Sequence, residues 1–526
     1  MSAIQDSGER GLSRRALLAG AAAGAIALGL PGRGLTRVPR PGHARPFAQP
    51  LRIPEVLTGS DLTIPMREAA VDVLPGPRTR MWTYGGSFPG PTIRRPAGET
   101  TRVRFEHRLG ERAGELTVHL HGGHNRASED GQPGGLTARQ PRSLYCDISP
   151  GLTSAESGND LLIAPGRSRT YTYEQIEDGQ PERGSFQWYH DHRLDHTARN
   201  VWRGLAGMWI VDGELDASLP LPRGRRDIPI MLADRSFDRR NQLTDPFVGG
   251  GLRPPDDGVL GRHILVNGVV LPHHDVRPQR YRLRVLNASQ FRSYSLCLTG
   301  GVKIVQIATE GGLLPRPLRR RSVLLGPGER AELIVDFAQA RGRRVQLVSV
   351  PRRAAPNKPG SQSYAGPLME FRVGSRQLRD RTSIPDALRS LPVWVADAPP
   401  KPSHSWRLTV GMGLRPSWLI NGRTYDPGHV EASAALGEVV TWELHNRTAA
   451  AHLMHLHHTD WYMLSRNGRR PPPWERCLKD TFFLDPDERV VIAGKLSDYT
   501  GRYVVHCHML DHEDHGLMSQ FEVTAT

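Results

Sequence analysis

The stretch His506-Cys507-His508-Met509-Leu510-Asp511-His512 follows the apolar segment Gly501-Arg502-Tyr503-Val504-Val505, which is typical of a buried β-strand. Alternate side chains of a strand point to opposite faces, so His506 and His508 point one way and Cys507 points the other. A thiolate on one face and two imidazoles on the other can connect two metal centres through a few covalent bonds. We expect His512, on the following turn, to return to the Cys507 side. The plain alternative is a core cysteine with surface histidines around it.

Three further histidine clusters make that plain alternative untenable. One cysteine with two histidines and a weak axial position suits a blue copper site. A single His-x-His is a weak signal, because polar strand faces often carry one. Here the same two-residue spacing recurs, and with His506, His508 and His512 the clusters contain ten histidines. The other seven belong to His119-Leu120-His121, His190-Asp191-His192 and His452-Leu453-Met454-His455-Leu456-His457, where we place His452 on the turn before the strand. Eight of these histidines form pairs that share a strand face, which predicts a metal cluster in addition to the blue copper site.

An internal repeat predicts the architecture. Each of three copies contains a strand-rich unit, and each ends in a strand led by a glycine, namely Gly184, Gly342 or Gly501. Three such units, in a chain rich in turn-forming Pro and Gly, predict an all-β protein of three Greek-key β-sandwich domains. The histidine clusters occur in the first and third copies only. We therefore expect the metal cluster between domains one and three, with domain two free of metal.

Composition shifts place the domain boundaries. We assign residues 1–45 to a signal and flexible N-terminus, 46–218 to domain one, 219–390 to domain two and 391–526 to domain three. The linkers are the Pro-, Gly- and Arg-rich residues 219–226 and 399–402.

The N-terminal segment has the features of an export signal. Twin arginines, Arg14 and Arg15, precede an Ala-, Gly- and Leu-rich run that ends near Leu30, as in Tat-type signals. The run is short for a membrane span, which needs about 20 apolar residues. We expect the mature protein to be secreted, in the cell envelope or periplasmic, with no later membrane span. An uncleaved anchor is the alternative, and the cleavage site is left open.

The distribution of charge limits which binding partners we expect, and the number of cysteines limits which disulfides can form. The chain has 69 Lys and Arg against 54 Asp and Glu, a net charge of +15. The positive charge is scattered rather than gathered on one basic helix, so we expect no nucleic-acid partner. Besides Cys507 there are only Cys146, Cys297 and Cys477, so at most one disulfide can form within the chain. The sequence does not choose the pair, nor the oligomeric state.

These motifs resemble those of the three-domain multicopper oxidases, the laccase and bilirubin oxidase family. The segment Trp188-Tyr189-His190-Asp191-His192 and the turn Gly204-Leu205-Ala206-Gly207 are most similar to bacterial spore-coat laccases and phenoxazinone-synthase-like enzymes. The resemblance implies three cupredoxin-like domains and four copper ions. It also implies one-electron oxidation of a small aromatic reductant, a phenol, aromatic amine or tetrapyrrole, coupled to reduction of dioxygen to water.

The resemblance also implies a role for each motif residue. His452, Cys507 and His512 resemble the type 1 copper ligands, and His119 and His455 resemble the type 2 ligands. Six histidines resemble the ligands of the paired type 3 coppers, namely His121, His190, His192, His457, His506 and His508. Asp130 and Glu513 match acidic positions that resemble the family's proton-relay residues. A structural or solvated carboxylate is the alternative for each.

The axial position of the type 1 site is unusual in this sequence. The family position five residues after the last type 1 histidine is Leu517 here, where many bacterial relatives have Met, and the adjacent Met518 is expected to point away. A non-coordinating axial residue raises the potential of such a site.

A cuprous-ion oxidase or copper-handling protein is the alternative function. The eleven Met residues form no cluster over the type 1 motif, which favours the oxidase of aromatic donors. A copper-free scaffold is opposed by the complete ligand set.

Overall fold

The computed structural model of the chain describes residues 45–135, 161–247, 258–351, 362–412 and 416–526. The predicted export segment, residues 1–44 in particular, and Cys146 lie outside the described residues. The first described residues assigned to domain one run along domain two, where the Phe47 and Leu51 amides donate to the carbonyls of Leu271 and His273 at 2.8 and 2.6 Å.

Domain one is a sandwich of a five-stranded sheet, in the order β1-β4-β11-β10-β6, and a four-stranded sheet, in the order β3-β2-β5-β7. Its buried core lies between these sheets and includes Ile93, Phe105 and Tyr189. The strands are β1 (Val56–Leu57), β2 (Asp61–Val71), β3 (Thr79–Tyr84), β4 (Thr92–Pro96), β5 (Thr101–His107), β6 (Val118–His121), β7 (Ser168–Tyr173), β8 (Ile176–Glu177), β9 (Gln180–Pro181), β10 (Ser185–Asp191) and β11 (Ala206–Asp212), of which β8 and β9 form a separate hairpin.

Domain two has a seven-stranded sheet, β14-β13-β12-β16-β21-β18-β19, packed on a sheet in the order β15-β24-β22-β17-β20, with β23 beside β17. The strands are β12 (Asp227–Arg235), β13 (His263–Val266), β14 (Val269–Val270), β15 (His273–Val276), β16 (Arg280–Asn287), β17 (Ser293–Leu298), β18 (Ile304–Thr309), β19 (Gly312–Arg320), β20 (Val323–Leu325), β21 (Arg330–Asp336), β22 (Arg344–Ser349), β23 (Ser363–Tyr364) and β24 (Gly366–Val373).

Domain three repeats the arrangement with sheets β26-β25-β28-β33-β30-β31 and β27-β35-β34-β29-β32. The strands are β25 (His404–Met412), β26 (Pro416–Ile420), β27 (Ala432–Ala435), β28 (Val439–Asn446), β29 (His452–Leu456), β30 (Trp461–Arg466), β31 (Leu478–Lys479), β32 (Thr481–Leu484), β33 (Arg489–Lys495), β34 (Gly501–Cys507) and β35 (Met518–Thr524). Its core contains the buried rings of Trp406, Trp442 and Trp461, with centroids 5.5 and 4.7 Å from Trp442. The predicted all-β class and the three sandwich domains are confirmed.

The helices within the described residues are few and short. The described α-helices are α1 (Thr197–Arg203), α2 (Glu214–Ser218) and α3 (Leu510–Asp514). No helix in the described ranges is long and apolar enough to cross a membrane. Cys297 and Cys477 are both free thiols where the structure describes them.

Strand register places the histidines of the four clusters opposite one another. In domain one, β10 pairs antiparallel with β6 so that His190 lies opposite His119. In domain three, β34 pairs antiparallel with β29 so that His506 lies opposite His455 and Cys507 lies opposite Met454. Directly opposed residues of an antiparallel pair present their side chains on the same face. Each sheet therefore presents cross-strand histidines on one face.

Candidate metal centre

One group of donors combines the thiol with two imidazoles. The Cys507 sulfur lies 3.6 Å from His452 Nδ1 and 3.8 Å from His512 Nδ1, and these nitrogens are 3.2 Å apart. All three residues are buried. His512 lies in α3, on the Cys507 side, whereas His452 begins strand β29 rather than occupying the turn before it. The other ring nitrogen of His452 lies 2.9 Å from the Thr448 hydroxyl, which orients the ring.

Eight histidines form a second centre on the opposite face of β34. Two buried groups of three stand side by side, His192 with His457 and His506, and His121 with His190 and His508. In the first group the Nε2 atoms of His192 and His457 each lie 3.2 Å from Nε2 of His506. His119 and His455 form a further pair, with their Nε2 atoms 3.4 Å apart. Their Nδ1 atoms lie 2.6 and 2.9 Å from the backbone carbonyls of Asp130 and Asp480.

The protonation chemistry of these donors fits metal ions. Burial, and to a lesser degree the neighbouring imidazoles, lowers the pKa of His121, His190 and His508 well below the usual value. Neutral imidazoles keep a lone pair for a metal. His121 Nδ1, His190 Nε2 and both ring nitrogens of His508 are buried without any hydrogen-bond partner. Buried polar atoms rarely remain unsatisfied, and these three rings belong to one group of possible metal ligands, so a bound cation would satisfy them.

The thiol requires a metal to ionise. Burial raises the pKa of Cys507 to about 12, so the sulfur keeps its proton at neutral pH without a metal. A coordinated thiol is deprotonated outright. Binding of a metal ion to this group would therefore release a proton.

Asp130 lies between two histidines of the larger centre. It follows a single 3-10 turn, Ala127–Glu129, and is buried. His457 Nδ1 lies 2.7 Å from Asp130 Oδ2, and Oδ1 lies 3.5 Å from His119 Nδ1. Burial raises the pKa of this carboxyl, against the lowering effect of His119. A carboxyl with a raised pKa, in contact with the centre, can hold a proton there.

Glu513 occupies the other side of the same histidine group. Its Oε2 lies 3.0 Å from His506 Nδ1, and its Oε1 lies 3.6 Å from His192 Nδ1. Burial alone would raise the pKa of Glu513, but His506 and His192 lower it to about 2. Asp130 and Glu513 thus contact different histidines and are biased toward different protonation states.

The two candidate axial side chains lie in different clusters. Leu517 is fully buried in the cluster that contains Cys507, Leu453 and Met454. Met518 packs instead with Leu194, Tyr425 and Val504. The Cys507 amide donates to the Leu517 carbonyl at 3.0 Å, which holds this segment beside the thiol. The packing favours the expected register, with Leu517 on the thiol side.

Comparison with known proteins assigns the family. Models described as multicopper oxidase match residues 66–145 and 397–526. A laccase of Bacillus stratosphericus is 30% identical over 498 residues, covering 85% of this chain and 91% of the relative. The chain belongs to the multicopper oxidases. A bilirubin oxidase of Albifimbria verrucaria is 30% identical over 464 residues, covering 84% of this chain and 72% of the relative. The crystal structure of a multi-copper oxidase from Pediococcus acidilactici superposes with a TM-score of 0.74 at 27% identity, covering 92% of this chain and 94% of that one.

Family membership confirms the expected copper cofactor, the cupredoxin-like domains and the laccase-like oxidoreductase class. Asp480 and Thr448, which orient these histidines, were not anticipated from the sequence. Neither lies in a recognisable motif, so no sequence signal marked them.

We predict that Cys507→Ser removes the thiolate bond and with it the blue absorption band and the oxidase activity. The eight histidines on the opposite face are unchanged, so copper bound there should remain. Copper per chain, measured by atomic absorption, should fall from four to three. A wild-type protein that binds four coppers yet is colourless would contradict the assignment of Cys507.

Proposed function

We propose that this multicopper oxidase is a laccase-type oxidase of small aromatic reductants, namely phenols, aromatic amines or tetrapyrroles. The observation that carries the proposal is the end of strand β34: Cys507 is a donor of the thiol group, His506 of one three-histidine group, and His508, directly after the strand, of the other. Bound copper supplies reversible one-electron chemistry, which allows four electrons from successive donors to reduce one dioxygen to two waters.

The ligand roles follow the donor groups. We assign His452, Cys507 and His512 to the type 1 copper, and His119 and His455 to the type 2 copper. The paired type 3 coppers would be held by His121, His190 and His508 on one side and by His192, His457 and His506 on the other. The distances among these donors support the assignment.

The chain itself supplies the connection between the two sites. His506 and His508 are the immediate neighbours of Cys507, so only a few covalent bonds separate the thiol from the larger centre. Both neighbours are buried and point away from the thiol. The covalent route keeps electrons from solvent and fixes the distance they travel.

Reducing dioxygen to two waters also consumes four protons, which must reach a buried site. We assign this task to Asp130 and Glu513 because they contact His457 and His506 at 2.7 and 3.0 Å. A cavity of about 20 Å³ beside His119 and His455 is also lined by Glu177, Glu182 and Asp460. It is large enough for one water molecule. These groups give protons and product water a polar environment at the His119 end.

We predict that Asp130→Asn and Glu513→Gln slow dioxygen reduction, because each removes a group that can carry a proton. A loss of about 100-fold or more in turnover is expected for a general acid or base. Reduction of the blue copper by substrate under anaerobic conditions should be unchanged. Full turnover of both variants across the pH range would show that these carboxylates are structural.

Leu517 bears on which electron donors the type 1 site could oxidise. An aliphatic side chain cannot coordinate, so the type 1 site would have three strong ligands and no fourth. Without an axial donor, oxidised copper is less stable relative to reduced copper, and the potential is high. A high potential widens the range of phenols and amines that can be oxidised.

We predict that Leu517→Met lowers the type 1 potential by adding a weak sulfur ligand. For a one-electron couple about 59 mV corresponds to a tenfold change in equilibrium constant, so poor reductants should be oxidised measurably more slowly. Redox titration of the blue band gives the potential, and Met518→Leu is the control that should leave it unchanged. An unchanged potential in Leu517→Met, together with a raised one in Met518→Leu, would make Met518 the axial residue.

The substrate class is tested by oxygen consumption with matched donors. Phenols, o-aminophenols and bilirubin should each support oxygen uptake by the copper-loaded protein, with rates that follow the ease of one-electron oxidation. Cuprous ion should be a poor donor, since no methionine cluster was found in the sequence near the type 1 motif. Rapid uptake with cuprous ion, and none with the aromatic donors, would instead support the metal-oxidase function.

A further inference from the structure

Domain two contributes none of the proposed ligands, yet it contacts the histidine centre directly. The turn before β21 lies against His508, because a Cβ added to Gly328 would come 2.9 Å from that ring. Gly328 also has a φ of +83°, which disfavours any other residue. The same turn leads into Arg330, the first residue of β21. Domain two therefore reaches the centre through a segment whose backbone geometry is fixed.

Arg330 is 1% exposed and makes a two-pronged ion pair with Asp480 of domain three. Its Nη1 and Nη2 donate to Asp480 Oδ1 and Oδ2 at 2.8 and 2.7 Å. Its Nε donates at 2.8 Å to the carbonyl of Phe186 in domain one. The forked geometry fixes the plane of the carboxylate, which a single cationic contact would not do.

The oriented carboxylate in turn contacts His121 of domain one. Asp480 Oδ1 lies 3.1 Å from His121 Nε2 and also accepts a hydrogen bond from the Thr481 hydroxyl at 2.8 Å. The carbonyl of the same residue lies 2.9 Å from His455 Nδ1. One residue thus contacts histidines from both halves of the centre.

This contact decides which nitrogen of His121 is available. An ionised carboxylate only accepts hydrogen bonds, so Nε2 of His121 must carry the proton. The lone pair is then on Nδ1, which is buried and has no hydrogen-bond partner. A hydrogen bond at one ring nitrogen commonly fixes the tautomer and orientation of a metal-binding histidine.

We infer that Arg330 is a positioning residue of the trinuclear centre, because it orients Asp480 to hold His121 with Nδ1 toward the metal. This inference rests on the proposed ligand role of His121. The middle domain then has a defined part in the reaction: it sets the coordination geometry of one type 3 copper without binding copper itself. A purely structural ion pair between domains is the competing explanation.

The chain offers a matched control for that alternative. Arg284, also in domain two, is 2% exposed and is paired just as closely, with Asp227 at 2.8 and 3.1 Å and with Glu332 at 2.6 Å. Neither of those carboxylates belongs to a metal-binding group within the described residues. Arg330→Met and Arg284→Met each remove a buried guanidinium with carboxylate partners, so both should lower the melting temperature.

Only Arg330→Met should disturb copper in the histidine centre. A chelator should extract copper from that centre about 10- to 100-fold more readily than from the wild type, the usual loss when an outer partner of a ligand is removed. The electron paramagnetic resonance spectrum of the non-blue copper should change, while the blue absorption stays constant. In Arg284→Met both copper measurements should equal those of the wild type. Equal copper retention in Arg330→Met and wild type, or equal loss in both arginine variants, would overturn the inference.

Arg330→Lys tests whether the forked geometry matters, and it keeps a positive charge should Arg330→Met fail to fold. A single ammonium group does not make the two parallel hydrogen bonds that a guanidinium makes to a carboxylate, so copper retention should remain impaired. Full retention in Arg330→Lys would show that charge alone suffices and would overturn the positioning role. Copper binding by the wild type distinguishes the proposed ligand roles from the proposed role of Arg330. A wild type without copper in the histidine centre would contradict the ligand roles, whereas a copper-loaded wild type with unchanged Arg330 variants would contradict only the role of Arg330.

Discussion

The alternation of side chains along strand β34 is the constraint on which the metal centre depends. Because neighbouring residues of a strand face opposite ways, Cys507 joins His452 and His512 on one side while His506 joins the eight-histidine group on the other, together with His508 directly after the strand. A helix could not do this, since residues i and i+2 of a helix do not share a face. In its sheet β34 lies between β29 and β35, and its residues 503–507 are buried.

Burial has two consequences that the surrounding residues must satisfy together. It keeps the imidazoles neutral and available to copper, and it makes every unpaired ring nitrogen costly. Backbone carbonyls and carboxylates lie beside several of these ring nitrogens and reduce that cost. Asp130 and Glu513 lie against Nδ1 of His457 and His506, and the Asp480 carbonyl lies against Nδ1 of His455. The same groups that orient the rings are therefore placed to exchange protons with the centre, and Arg330 extends the arrangement into domain two.

The sequence predicted the parts that depend on local periodicity. The paired histidines were identifiable because a two-residue spacing has a fixed meaning on a strand, and the repeat indicated three domains. Leu517 was placed on the thiol side by counting from His512, and it packs in the cluster with Cys507. His452 was expected on a turn but begins β29, because strand ends are set by pairing, here with Leu484. Arg330 and Asp480 were missed, since their contact joins residues 150 positions apart and neither occurs in a motif.

The claim that one strand joins two copper sites is tested most directly by anomalous diffraction from a crystal of the copper-loaded protein, recorded on both sides of the copper absorption edge. We expect four copper peaks, one among His452, Cys507 and His512 and three among the eight remaining histidines. A peak beside Cys507 with none on the His506 and His508 side, or copper bound away from these residues, would contradict the account.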